Sequence, residues 1–202
     1  FTFKDLKKQI NWTKIFFINH QILKTDTIAI VLENGPEMAT CFLSVASNFC
    51  AAPLNPSYTE FEFNFYINDL KPKGIIVSEN SISPVINVAK KNNIKIFKLS
   101  IDNNDASGKF ILRSEKSDKN KKISKNIKIS SKDVALILHT SGTTSIPKMV
   151  PLSHLNLCTS ARNIVQTLDL NRNDRCINIM PLFHIHGIVC LLLSSLFSGS
   201  SI

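Results

Sequence analysis

The chain has no CxxC pair, no internal repeat and no apolar run long enough to cross a bilayer. Each absence closes off a class of protein. The five cysteines (Cys41, Cys50, Cys158, Cys176, Cys190) are odd in number, and each lies in or beside an apolar stretch. They read as buried free thiols in a reducing compartment, not as a disulfide frame or a metal cluster. The longest apolar stretch, Ile188 to Phe197, falls well short of the roughly 20 residues a membrane helix needs. No signal peptide is visible. The first residue is Phe1, and Ser201-Ile202 directly follows a helix-like run, so the chain reads as a fragment of a longer protein. Acidic residues are also in short supply, 15 against 24 Lys and Arg, for a formal charge of +9. Most of that excess sits in one place. Lys109, Arg113, Lys116, Lys119, Lys121, Lys122, Lys125, Lys128 and Lys132 face only Glu115 and Asp118 across the same stretch. It is rich in Ser and Asn and has no aromatic after Phe110, which marks a solvated linker and not a nucleic-acid surface.

What is present alternates. Thr27 to Leu32 is a β-branched run, followed by the turn Asn34-Gly35-Pro36 and a helix from Glu37 to Cys50. "AAPLNP" (Ala51 to Pro56) is extended, and Thr59 with Glu62 forms a capping box that opens a helix through Leu70. Gly74 to Ser78 is a strand, Ser83-Pro84 starts a helix ending near Asn92-Asn93, and Ile94 to Leu99 is a strand. Beyond the linker come a strand at Val134 to Leu138 and a helix capped by Ser153 and running to about Leu168. A strand at Cys176 to Met180 and a helix from Ile188 to Phe197, closed by Gly199, complete the pattern. The order predicts an α/β fold with a largely parallel sheet layered with helices. Three segments are expected: 1–102 as an N-terminal lobe, 103–132 as a basic flexible linker, and 133–202 as a second α/β segment.

In such sheets the loops at carboxyl ends of strands collect ligands, and one loop there has unusual chemistry. Thr140, Ser141, Gly142, Thr143, Thr144 and Ser145 supply consecutive backbone N–H groups, five hydroxyls and one glycine free to adopt positive φ. Lys148 adds a compact positive charge. This is a composition for gripping phosphate oxygens. It is not a Walker loop, since the second glycine and the hydroxyl after the lysine are missing. Read from composition alone, an ordinary polar connection stays open beside it. Among the histidines, His20 and His139 read as structural. The H-x-H pair His184 and His186 has no third metal ligand in sequence reach, so no metal site is expected.

The stretch "LHTSGTTSIPKMVPLSHLNL" resembles the phosphate-binding signature of the adenylate-forming superfamily, T-S-G-[ST]-T-G-x-P-K-G-V followed by a helix starting near H-x-N. Thr140 to Thr144, Pro147, Lys148, Val150, His154 and Asn156 match. Ser145 and Met149 stand where that pattern has glycine. "NGPEMA", "AAPLNPSYTEFEFNFYINDL" and "KGIIV" are similar to the same superfamily's N-terminal region, and "PLFHIHG" (Pro181 to Gly187) to the aromatic-histidine segment of acyl- and aryl-CoA synthetases. Ser145 together with "PLFHIHG" looks most like the oxalate–CoA ligase branch, where T-S-G-T-T-S is usual.

The resemblance implies the N-terminal part of the large domain of an AMP-forming acid–CoA ligase. A carboxylate, oxalate by this likeness, would attack ATP to give an acyl-adenylate and pyrophosphate, and the CoA thiol would then displace AMP. Thr140, Ser141, Gly142, Thr143, Thr144, Ser145 and Lys148 would hold the polyphosphate. Lys148 and His184 would act in catalysis, with His184 beside the carboxylate and the α-phosphate. Mg2+ would be a cofactor whose ligands lie mostly outside this segment. The expected partner is a small carboxylic acid and not nucleic acid, with no membrane span, in the cytoplasm or the peroxisome. The adenine-binding Y-G-x-T-E segment, the ribose-binding aspartate, the hinge and the C-terminal lysine of the superfamily do not occur here, so the fragment by itself is expected to be inactive. Met149 motivates a rival reading, a catalytically degenerate relative that binds a nucleotide without turnover. A non-catalytic interaction module, its loop merely structural, is a third.

Overall fold

Short β-branched runs separated by capped helices decide the layout. The computed structural model describes residues 1–102, 104–114, 127–140 and 147–202. They fall into two units, Phe1–Ile129 and Ser130–Ile202.

In the first unit the strands are β1 (Thr27–Val31), β2 (Cys50–Pro53), β3 (Gly74–Ser78), β4 (Lys95–Ser100) and β5 (Ile111–Ser114). They lie in the order β5-β4-β3-β1-β2. The first four run parallel, and β5 joins the edge antiparallel. Parallel strands covered on both faces need apolar residues at every position. Accordingly Ile28, Ala29, Ile30, Ile75, Ile76 and Phe97 are all fully buried. The helices are α1 (Phe3–Asn19), α2 (Pro36–Ala46), α3 (Glu60–Leu70) and α4 (Val85–Lys91). Right-handed crossovers send the β1-to-β2 and β2-to-β3 connections to opposite faces. The helix contacts agree, with α1 packing on α2 and α3 on α4. The expected box at Thr59 forms: its hydroxyl accepts from Glu62 N–H at 3.3 Å while its own N–H donates to the Glu62 carboxylate at 2.8 Å.

Gly74 opens β3 directly under the ring of Phe97, and a Cβ there would fall on the Phe97 ring edge. Phe97 also packs edge-on against Phe17, with centroids 5.1 Å apart, so it has nowhere to retreat. Gly74→Ala is expected to destabilise the unit by about 1–3 kcal/mol through overpacking. A urea unfolding midpoint identical to the parent's would show that the ring moves aside freely.

Several features depart from the sequence reading. The residues before Thr27 carry no expected element, yet α1 occupies most of them, capped by Thr2, whose hydroxyl accepts from Asp5 N–H at 3.2 Å. Part of the expected 103–132 linker is strand β5, because Phe110 and Leu112 turn inward and Gln9 Nε2 donates to the Phe110 carbonyl at 3.0 Å. Residues 103 and 115–126 lie outside the described residues. The thiols are all free, but only Cys41 and Cys50 are buried. Cys176 and Cys190 are half-buried, and Cys158 is exposed. Burial pushes the Cys50 thiol up to about 11, against a hydrogen bond with Thr27 that lowers it.

The second unit is built on β6 (Val134–Thr140) and β7 (Lys148–Ser153), an antiparallel pair with an irregularity at Val134/Leu136. α5 (His154–Thr167) follows β7 at once, because Ser153 and Asn156 form the expected cap. A π-helix (His186–Leu193) runs straight into α6 (Ser194–Ser198), and both pack against α5. Gly199 ends α6 at φ 76°, the left-handed stop expected of it. The expected strand at Cys176 to Met180 does not form. Only a bridge pairs Arg175 with Ser201, and Ile177 and Ile179 stand 80% and 81% exposed. A period-two pattern makes a strand only where a neighbour supplies the ladder. Among the described residues no helix is long and apolar enough to cross a membrane.

Candidate active site

The β6–β7 pair fixes both ends of the hydroxyl-rich loop. Thr140 is the last residue of β6 and Lys148 the first of β7, and the two are register partners. Partners across an antiparallel pair sit about 4.5–5.5 Å apart at Cα and project to the same face. One hydroxyl and one ammonium therefore share the mouth of the connection, and both residues are exposed. Their face continues downward through Leu138–Val150 and Leu136–Leu152, where Leu136 is fully buried and Leu138 8% exposed. The lysine thus stands on a strand held by its ladder with β6, whose Leu136 and Leu138 are buried. Ser141, Gly142, Thr143, Thr144 and Ser145, the rest of the expected grip, lie outside the described residues.

Met149 projects to the opposite face as the partner of His139 and is 43% exposed. It is extended and not among the residues with positive φ. A glycine is therefore not required there by backbone conformation.

His184 lies further along the same unit. It closes a turn, donating its N–H to the Pro181 carbonyl at 3.1 Å. Its side chain is exposed, and Nδ1 accepts from the His186 N–H at 3.3 Å. An Nδ1 that accepts leaves the proton of the neutral ring on Nε2. His186 is also exposed, at the first position of the π-helix.

Gly187 shows why this turn has its shape. A Cβ on Gly187 would fall on the Pro181 carbonyl oxygen and lie 2.9 Å from that of Met180. The turn closes only because nothing projects there. Asn178, which the sequence reading passes over as a strand residue, spans the same closure. Its Oδ1 accepts from the Met180 N–H at 3.0 Å and its Nδ2 donates to the Gly187 carbonyl at 3.1 Å. An asparagine shortly ahead of a proline is a turn signal and could have drawn notice.

His20 and His154 have local partners. His20 bonds the Phe16 carbonyl through Nδ1 at 2.8 Å and stacks on the Phe16 ring. Burial holds His154 below its ordinary value, against the opposing pull of Asp133. Among the described residues no group of three or more His, Cys, Asp or Glu is placed to hold a metal ion.

The sequence matches a family model described as AMP-binding enzyme over residues 1–202. It is 35% identical to an oxalate–CoA ligase of Saccharomyces cerevisiae, an alignment covering 100% of this chain and 42% of that protein. Over 88% of the chain it is 38% identical to an oxalate–CoA ligase of Arabidopsis thaliana, of which 34% is covered. The chain therefore spans less than half the length of these curated relatives. In fold it is similar to ATP-bound MatB from Rhodopseudomonas palustris, with a TM-score of 0.79 at 23% identity, covering 98% of this chain and 39% of that one.

Proposed function

Because the chain belongs to the AMP-binding enzyme family, we propose that it forms the phosphate-gripping part of an AMP-forming acid–CoA ligase whose acid is oxalate. The observation that carries this reading is the pairing of Thr140 with Lys148 across the mouth of the β6–β7 connection. That pairing brings a hydroxyl and a cation to both ends of a loop made of further hydroxyls and a glycine. Two relatives named oxalate–CoA ligase, at 35% and 38% identity, support the choice of acid.

In this reading Lys148, Thr140 and the hydroxyls of Ser141, Thr143, Thr144 and Ser145 hold the terminal phosphates of ATP. Gly142 lets the backbone N–H groups approach the oxygens. Catalysis here is positioning and charge stabilisation. The carboxylate oxygen attacks the α-phosphorus, the bond to pyrophosphate breaks, and the acyl-adenylate forms. The CoA sulfur then attacks the acyl carbon and AMP leaves. His184 donates from Nε2 to an oxyanion beside the α-phosphate or the carboxylate. Mg2+ would be held mostly by ligands outside this segment and would neutralise charge on the phosphates. The compartment we propose is the cytoplasm or the peroxisome.

The test is thioester formation by the full-length enzyme with oxalate, a medium-chain fatty acid and a cinnamate-type acid. Oxalate is expected to react fastest. A clear fatty-acid preference would remove oxalate and leave the ligase. ATP binding without pyrophosphate exchange for any acid would replace the ligase by a nucleotide binder.

A further inference from the structure

We infer that Asn178 is a positioning residue that sets the tautomer and orientation of His184, an inference whose kinetic part rests on the role proposed for that histidine. The side-chain amide ties the two ends of the Pro181–Gly187 turn together. One end is the Met180 N–H, held by Oδ1 at 3.0 Å; the other is the Gly187 carbonyl, held by Nδ2 at 3.1 Å. Pro181 has no N–H, so Met180 offers the last backbone donor before the turn. The job requires one donor and one acceptor on a short neutral side chain, and asparagine has both.

Inside the closed turn, His184 N–H reaches the Pro181 carbonyl at 3.1 Å and His184 Nδ1 receives the His186 N–H at 3.3 Å. Gly187 lies against the Pro181 and Met180 carbonyls with no room for a Cβ. The His186 N–H aims at His184 only while the first residues of the π-helix stay seated on Pro181. Asn178 fastens the Gly187 carbonyl there, beside the Ile188 N–H that donates to the His184 carbonyl at 3.2 Å. Releasing it frees the His186 N–H to swing away, and Nδ1 loses the bond that selects the Nε2–H form. A ring that then exchanges between tautomers presents its donor to an oxyanion for only part of the time.

The experiment uses the full-length enzyme labelled with 15N-histidine, as wild type, Asn178→Ala and Asn178→Asp. The aspartate is nearly isosteric and keeps an acceptor for Met180 while losing the donation to Gly187, so it guards against loss of fold. In the wild type His184 is expected to show a bare, hydrogen-bonded Nδ1 and a protonated Nε2. Both variants are expected to shift these resonances toward a tautomer average. Thioester-forming kcat should fall about three- to ten-fold, the equivalent of one lost hydrogen bond, with KM for ATP unchanged. In a His184→Ala background, Asn178→Asp should cost nothing further. Unchanged His184 resonances in both variants would overturn the inference, as would an equal additional loss in the His184→Ala background. If His184→Ala alone left turnover intact, the histidine's proposed role would fall with the kinetic part. The resonances would still decide whether Asn178 sets the ring.

Discussion

Replacing His184 by alanine in the full-length enzyme is expected to lower the rate of thioester formation about ten-fold or more, the range for one positioned acid–base or polar group. His186→Ala should do less. The two histidines are both exposed and only two residues apart, but the turn treats them differently. His184 has its backbone N–H tied to Pro181 and its Nδ1 occupied, which leaves Nε2–H as a donor of fixed direction. His186 contributes its backbone N–H to that arrangement, a bond that alanine at 186 would keep. As an exposed side chain, His184 should be replaceable with a stability change within about 0.5 kcal/mol. Near-wild-type turnover in a folded His184→Ala enzyme, or a greater loss at His186, would mean that the acting histidine has been misassigned.

Lys148→Ala should weaken the handling of ATP by about 1.5–3 kcal/mol, the value of one charge-assisted hydrogen bond, or roughly ten- to a hundred-fold in ATP-dependent kinetics. Its strand is held by pairing with β6, where Leu136 and Leu138 are buried, and not by the lysine side chain, which is exposed. Thermal stability should therefore hold. The paired measurement is ATP–pyrophosphate exchange and melting temperature in the full-length enzyme. Unchanged kinetics with a collapsed melting temperature would make the lysine a structural residue.

Local chemistry that a residue carries by itself was legible in the sequence. The Thr59–Glu62 and Ser153–Asn156 boxes, the β3 run and the Gly199 stop all stand where their residue types place them. Elements that depend on a partner far along the chain were not. β5 is four residues set among lysines, and only its register against β4 makes it a strand. β7 contains Pro151, which argues against a strand, yet Pro151 pairs with Ile137 in a strand that ends its sheet. The opposite error at Cys176 to Met180 has the same source, since alternation without a neighbour gives no ladder. At the site, residue types pointed to Lys148 and His184, while Asn178 gains meaning only from where Gly187 folds back.

The stretch from Cys176 to Met180 has a consequence for handling the protein. Two isoleucines stand bare along it, with Ile177 and Ile179 each about four-fifths exposed. A short run of that kind, with backbone groups not taken up in a ladder, templates cross-β stacking between molecules. Solutions of this chain should therefore turn turbid with rising concentration and ionic strength, as salt screens the repulsion that the +9 charge otherwise provides. A single lysine in place of Ile177 or Ile179 would act as a gatekeeper against that clouding.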